Sequence, residues 1–224
     1  MKKALSAAIL SAALVVCAAP ATAQESAAQS NSQAQPAISL NEWIDGFQGQ
    51  ALDPAKWERF SFEGPSTGKL EVHDGELKLR GFAGSRFGVR SVPEFSGDKF
   101  IVEAKLPSRP VANGIPMAFA TLTVLFDSSG RNRLEWMWRS DGHFEAWRIK
   151  DGRGERLDNR KLATTETSPT IAIARRGDQL MFLLNGEVGV QKKFTDLPQR
   201  FHVMLYGFDQ SENSWNAVRV VTAR

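Results

Sequence analysis

Apolar and polar residues alternate with a period of two along most of the chain, the signature of strands with one buried face. Glu76-Leu77-Lys78-Leu79 alternates strictly, and Lys99–Leu106 places Phe100, Val102, Ala104 and Leu106 on one side. The same reading predicts strands over Arg86–Ser91, Met117–Phe126, Arg133–Arg139, His143–Lys150, Thr170–Arg176, Gln179–Leu184, Glu187–Phe194, Phe201–Tyr206 and Asn216–Thr222. Turn signals separate them, among them Asp74-Gly75, Ser129-Gly130, Asp141-Gly142, Asp151-Gly152, Gly177-Asp178 and Asn185-Gly186. Asp-Gly and Asn-Gly tolerate the positive φ angles of tight hairpins. Ten or more short strands with frequent turns predict an all-β fold, a two-sheet antiparallel β-sandwich. The one helical expectation is a turn or two over Asp53–Arg59, opened by Asp-Pro.

The first 39 residues break this pattern. Lys2 and Lys3, the uncharged run Leu5–Ala18 and the small-x-small triplet Ala21-Thr22-Ala23 make the three parts of a secretory signal, with cleavage expected before Gln24. The run is shorter than the roughly 20 apolar residues of a membrane span. Gln24–Ala37 is Gln, Ser and Ala with little to bury, so residues 24–39 read as a disordered linker and 40–224 as the domain. A lipoprotein reading of Cys17 is disfavoured, because Val16 stands where a small residue is expected. Cys17 is the only cysteine, so the processed chain has none. Removing 23 of the 224 residues leaves 201 and, with Lys2 and Lys3 gone, lowers the net charge from +3 to +1. That excess is too small to predict a nucleic-acid or anionic-membrane partner. The expectation is a secreted or periplasmic protein of unassigned oligomeric state.

Phe47-x-Gly49-x-x-Leu52-Asp53-Pro54-x-x-Trp57, then Val72–Leu79, Arg175–Leu180 leading to Leu184-Asn185-Gly186-Glu187, and Tyr206-Gly207-Phe208 through Trp215–Val220 together resemble the concanavalin A-like lectin/glucanase superfamily. The resemblance covers roughly residues 42 to 224 and implies a jelly roll of the laminin-G and family 16 glycoside hydrolase type. Retaining glucanases of that superfamily carry Glu-x-Asp-x-Glu on a central strand, with the outer carboxylates on one face. No glutamate of this chain has an Asp two places on, and the nearest equivalent, Leu134-Glu135-Trp136-Met137-Trp138-Arg139, lacks it. A family 16 glucanase is therefore disfavoured, and the strand motifs of the polysaccharide lyases sharing the fold are also missing.

Alternation sends Leu134, Trp136 and Trp138 one way and Glu135, Met137 and Arg139 the other, beside Glu145 and Trp147 of the next strand. With Arg90, Glu103, His202 and Tyr206 on the same concave sheet, these residues would form a groove of charged and aromatic groups suited to sugars. The competing reading is an ordinary solvated sheet face held by cross-strand Arg–Glu pairs. The three histidines have no metal-ligand spacing, and Gly64–Lys69 is one residue short of a phosphate loop. Asp45 and Asn216 are two oxygen donors where some relatives hold calcium, too few to assign a cofactor. Trp43, Trp57 and Trp215 are expected to pack where the first and last strands meet. The preferred reading is a non-catalytic glycan-binding protein. One alternative is a polysaccharide hydrolase or lyase using Glu103, Glu135 or Glu145 as acid or base, or a His202–Tyr206 proton-transfer pair. The other is an envelope protein-interaction domain of laminin-G type.

Overall fold

The computed structural model describes residues 40–62, 68–160 and 167–223. The signal segment, its cleavage point, the linker and most of Gly64–Lys69 lie outside the described residues. Among the described residues there are strands and turns but no helix, and hence no helix able to cross a membrane.

One sheet has six strands in the order β1 (Leu40–Asp45), β18 (Ala217–Ala223), β7 (Lys99–Lys105), β13 (Thr170–Arg176), β14 (Gln179–Leu184) and β15 (Glu187–Lys193). The second has eight: β12 (Arg153–Arg160), β11 (Phe144–Lys150), β10 (Arg133–Arg139), β9 (Phe119–Leu125), β16 (Arg200–Tyr206), β5 (Phe87–Ser91) and β2 (Trp57–Ser61), with β6 (Phe95–Ser96) also paired to β16. A four-stranded sheet, β3 (Lys69–His73), β4 (Glu76–Arg80), β17 (Ser211–Trp215) and β8 (Val111–Ala112), completes the set. Every pairing is antiparallel, as short hairpins require.

The hairpins turn where the sequence says they should. Asp74-Gly75, Asp151-Gly152 and Asn185-Gly186 each have both φ angles positive, at 52° followed by 79°, 80° and 82°. That pair of angles matches the right-handed twist of the flanking strands.

The inward faces of the two larger sheets form one core. Phe100, Val102 and Phe182 from one sheet join Leu122, Trp136, Phe144 and Val203 from the other, with Leu77, Leu79 and Trp215 of the small sheet in the same cluster. Trp136 meets Phe144 and Phe182 at ring distances of 5.3 and 5.6 Å, and its indole N–H donates across the sandwich to the Leu183 carbonyl at 2.8 Å. The buried indole thus keeps a partner for its one donor.

The helical expectation at 53–59 is corrected. The Asp53 carbonyl accepts from Lys56 and Trp57 N–H at 3.1 and 2.9 Å, one turn, after which the chain becomes β2. Trp57 is 2% exposed, packs on Trp43 at 5.3 Å and donates to Asp45 Oδ2 at 2.6 Å. Core burial at Trp57 and Arg59–Phe87 packing require period two here, overriding local helix preference. Trp215 lies in β17, bonded to Asn213 Oδ1 at 2.6 Å. Asp45 also accepts from Phe47 N–H at 3.0 Å and Lys56 Nζ at 3.4 Å, so both its oxygens hold the β1–β2 corner.

Candidate functional site

A cleft of about 430 Å³ opens on the outward face of the eight-stranded sheet. Its floor follows from alternation. With Leu134, Trp136 and Trp138 in the core, Glu135 and Met137 of β10 must face out; β11 contributes Glu145, Trp147 and Ile149, and β16 contributes Tyr206.

Glu135 is the buried centre, 3% exposed. Its Oε1 accepts from Tyr206 Oη at 2.6 Å and Arg133 Nε at 2.5 Å, and Arg133 Nη1 also donates to the Gly130 carbonyl. Burial first, and the neighbouring Glu135 charge second, push the Tyr206 hydroxyl far above its ordinary value. Between β10 and β16, Thr121 and Thr123 are fully buried, and their hydroxyls have no hydrogen-bond partner among the described residues.

Glu145 is held separately. Oε1 accepts from Arg139 Nη1 at 2.5 Å and Oε2 from the Trp147 indole at 2.9 Å. Arg139 also donates to Asp141 Oδ2 at 2.8 Å. Burial works to lower the Arg139 pKa, but the Glu145 hydrogen bond and the charge of Asp141 raise it overall. In the β10–β11 register Glu135 faces Trp147 and Glu145 faces Met137. The two glutamates are therefore diagonal neighbours, about 7–8 Å apart at the backbone, and each is engaged by a different arginine. Counted from Glu135, Met137 and Arg139 hold the same-face positions two and four residues on.

Aromatic rings stand around this polar floor. Phe62 meets Tyr206 edge-on at 5.6 Å, with the Arg133 guanidinium 4.5 Å over its ring. Phe119 and Phe208 meet at 6.2 Å, with Arg86 over Phe208 at 5.1 Å. Trp147 lies opposite Arg156 of β12, whose guanidinium is 5.8 Å from its ring. There β12 bulges by one residue, Leu157, at the Ala146–Trp147 step, and bulges re-aim side chains.

One wall is the loop from Asp127 to Asn132. Asp127 Oδ1 accepts from Ser129 N–H and Oγ at 2.9 and 2.6 Å and from Arg131 N–H at 3.1 Å; Oδ2 accepts from Asn132 N–H and Nδ2, both at 2.8 Å. Burial alone would raise the Asp127 pKa, but these donors lower it. The loop presents Ser129, Gly130 and Arg131 to the cleft.

Of the residues singled out from sequence, Glu135, Glu145, Trp147 and Tyr206 line the cleft and Arg139 braces Glu145. Arg90 lies elsewhere on this sheet, bonded to Glu58 Oε1 at 2.9 Å and 4.3 Å over Phe60. His202 lies opposite Leu125, with Nδ1 2.9 Å from the Ser91 carbonyl. It is four residues from Tyr206, roughly 13 Å along a strand, so the two make no proton-transfer pair. Glu103 belongs to the other sheet, on β7 opposite Arg219 and Ala172, because β7 pairs with β18 and β13. Its placement in the groove is corrected. Phe62, Phe119 and Arg131 were not singled out; they come from turns and strand ends, where alternation gives no face. Among the described residues no three His, Cys, Asp or Glu side chains converge as a metal site.

No family model matches the chain, and no curated protein matches it. Solved structures do. The chain is similar to an endo-β-1,3-glucanase from Pyrococcus furiosus, at TM-score 0.63 and 12% identity over 81% of this chain and 94% of that one. It is similar to a β-glucanase of Bacillus licheniformis, at TM-score 0.60 and 15% identity over 82% and 98%. It is also similar to the carbohydrate-binding module CBM66 of Bacillus subtilis, at TM-score 0.51 and 12% identity over 73% and 91%. At such identities the likeness establishes the fold: a concanavalin A-like jelly roll, the architecture shared by glucanases and a carbohydrate-binding module.

Proposed function

We propose that this is an exported protein whose cleft binds a glycan without cleaving it. The observation carrying the reading is the cleft itself, where aromatic rings surround a polar floor in a space of about 430 Å³. Sugar rings offer apolar C–H faces to aromatic side chains and hydroxyls to charged and amide groups, and a pocket of this size and mixed lining is the usual form of a small-ligand site. The glucanases and the carbohydrate-binding module with this fold support a saccharide over other ligands.

Binding without hydrolysis is supported by how the carboxylates are spent. A retaining pair needs two carboxyl groups about 5–5.5 Å apart, one acting as nucleophile and one as acid. Here Glu135 is fixed by Arg133 and Tyr206, Glu145 by Arg139 and Trp147, and the strand position four after Glu135 is an arginine. Export is supported by the basic start, apolar run and small-residue triplet of residues 1–23.

The test is affinity electrophoresis and calorimetry of the processed chain against a glycan panel, with reducing-end and unsaturated-product assays on the same mixtures. Binding without product release is expected. Trp147→Ala should weaken it roughly tenfold or more, as truncation of a central aromatic does. Unchanged binding by that variant would remove the cleft as the site, and product release abolished by Glu135→Gln would replace binding with catalysis.

A further inference from the structure

Among the described residues, the cleft face carries more guanidinium than carboxylate. Its two glutamates are already matched, Glu135 by Arg133 and Glu145 by Arg139, and Arg139 also takes Asp141. Arg131 and Arg156 have no carboxylate partner among the described residues. Arg131, on the cleft wall, donates to the Asp151 carbonyl at 3.0 Å. Arg156 is exposed and stands over Trp147.

The acidic residues nearby do not answer them. Glu155 alternates with Arg156 and faces Arg148 in the register, on the opposite side of the sheet from Trp147. Asp196 serves Arg148 and Lys150, whose hydrogen bonds hold its carboxyl down to about 2. Asp151 is adjacent to Arg131, but the contact made is through its backbone carbonyl.

We propose that the glycan received by this cleft is anionic, its carboxylate or sulfate groups met at two places, by Arg131 on the cleft wall and by Arg156 on the neighbouring edge strand β12, over the ring of Trp147. This rests on the glycan reading above and narrows it to a class. Guanidinium presents planar, paired N–H donors that match both anions, and such charge-assisted bonds are about twice as strong as neutral ones. A backbone carbonyl holding Arg131 fixes its position without cancelling its charge. General basicity does not account for a preference, since the processed chain has a net charge of only +1.

The processed chain would be titrated by calorimetry and affinity electrophoresis with matched polymers that differ in charge: polygalacturonate and its methyl ester, dextran sulfate and dextran, with neutral β-glucans alongside. Arg131→Gln, Arg156→Gln and the double variant would be run in parallel after circular dichroism shows native folding. Tighter binding of a charged polymer than of its uncharged counterpart is expected, weakened by salt. Each single variant should lose roughly tenfold of it, and the loss should be larger for each charged polymer than for its uncharged counterpart. The uronate and sulfate arms identify the anion. Binding of neutral polymers equal to or better than charged ones overturns the inference and leaves the glycan reading standing. So does charge-dependent binding that the double variant retains. Binding of no glycan at all overturns the glycan reading, and this inference with it.

Discussion

Tyr206 is the only tyrosine in the chain, which makes its environment directly measurable. Its hydroxyl is buried on Glu135, and burial and that carboxylate both oppose ionisation. A free tyrosine ionises near pH 10. In the folded protein the phenolate absorbance near 295 nm should therefore be missing at pH 10.5 and appear only as the chain unfolds. The linkage has a definite sign. A group whose folded pKa lies above its unfolded one keeps its proton where the unfolded chain gives it up, so stability is full below about pH 10 and falls as pH rises beyond it. Tyr206→Phe should remove that fall, read from urea midpoints between pH 9 and 11. A normal phenolate titration in the native state would contradict the Tyr206–Glu135 contact. That Glu135 and Tyr206 point outward was legible from alternation alone. That they meet was not, because it depends on β9 lying between β10 and β16, a matter of strand order.

At the level of elements, the cleft floor depends on how closely β5 and β16 approach. A Cβ at Gly88 would come within 1.9 Å of the Leu205 carbonyl oxygen and 2.6 Å of Tyr206 Cβ. Backbone cannot swing aside as a side-chain tip can, so Gly88→Ala must push the strands apart. A loss of about 1–3 kcal/mol is expected in urea unfolding. Gly154→Ala is the matching control, because its nearest atoms, of the Trp147 ring, are 3.5 Å away; it should change stability by less than about 0.5 kcal/mol. Equal losses would mean that strand spacing is not what Gly88 protects. Alternation marks strands with one wet and one dry face, such as β7 with Phe100, Val102 and Ala104 inward, while β9 and β13, buried at nearly every position, stand out as apolar runs between turns. β12 carries no alternation signal because it is an edge strand of mostly charged and exposed positions, with Leu157 packed against the core. At β2 the local signal points toward helix, because Asp53-Pro54 does open a turn and only the burial of Trp57 ends it.

For the whole molecule, stability rests on a core shared by three sheets, with no disulfide to help. The aromatic content is placed accordingly: Trp57, Trp136, Trp138 and Trp215 are each at most 2% exposed. Such a core needs no oxidising compartment, yet the N-terminal residues read as an export signal. The two fit together if the only cysteine, Cys17, is discarded with that signal. The prediction joins export to redox chemistry. Expressed from its full gene in a bacterium, the protein should accumulate outside the cytoplasm with Gln24 at its N-terminus, as intact mass and N-terminal sequencing would establish. The denatured product should give no thiol with a colorimetric reagent, and its thermal midpoint should be indifferent to reductant. A product retaining Met1 in the cytoplasm would overturn export. One beginning at a lipid-modified Cys17 would keep export but tether the domain to a membrane, placing the cleft on a surface instead of free in solution.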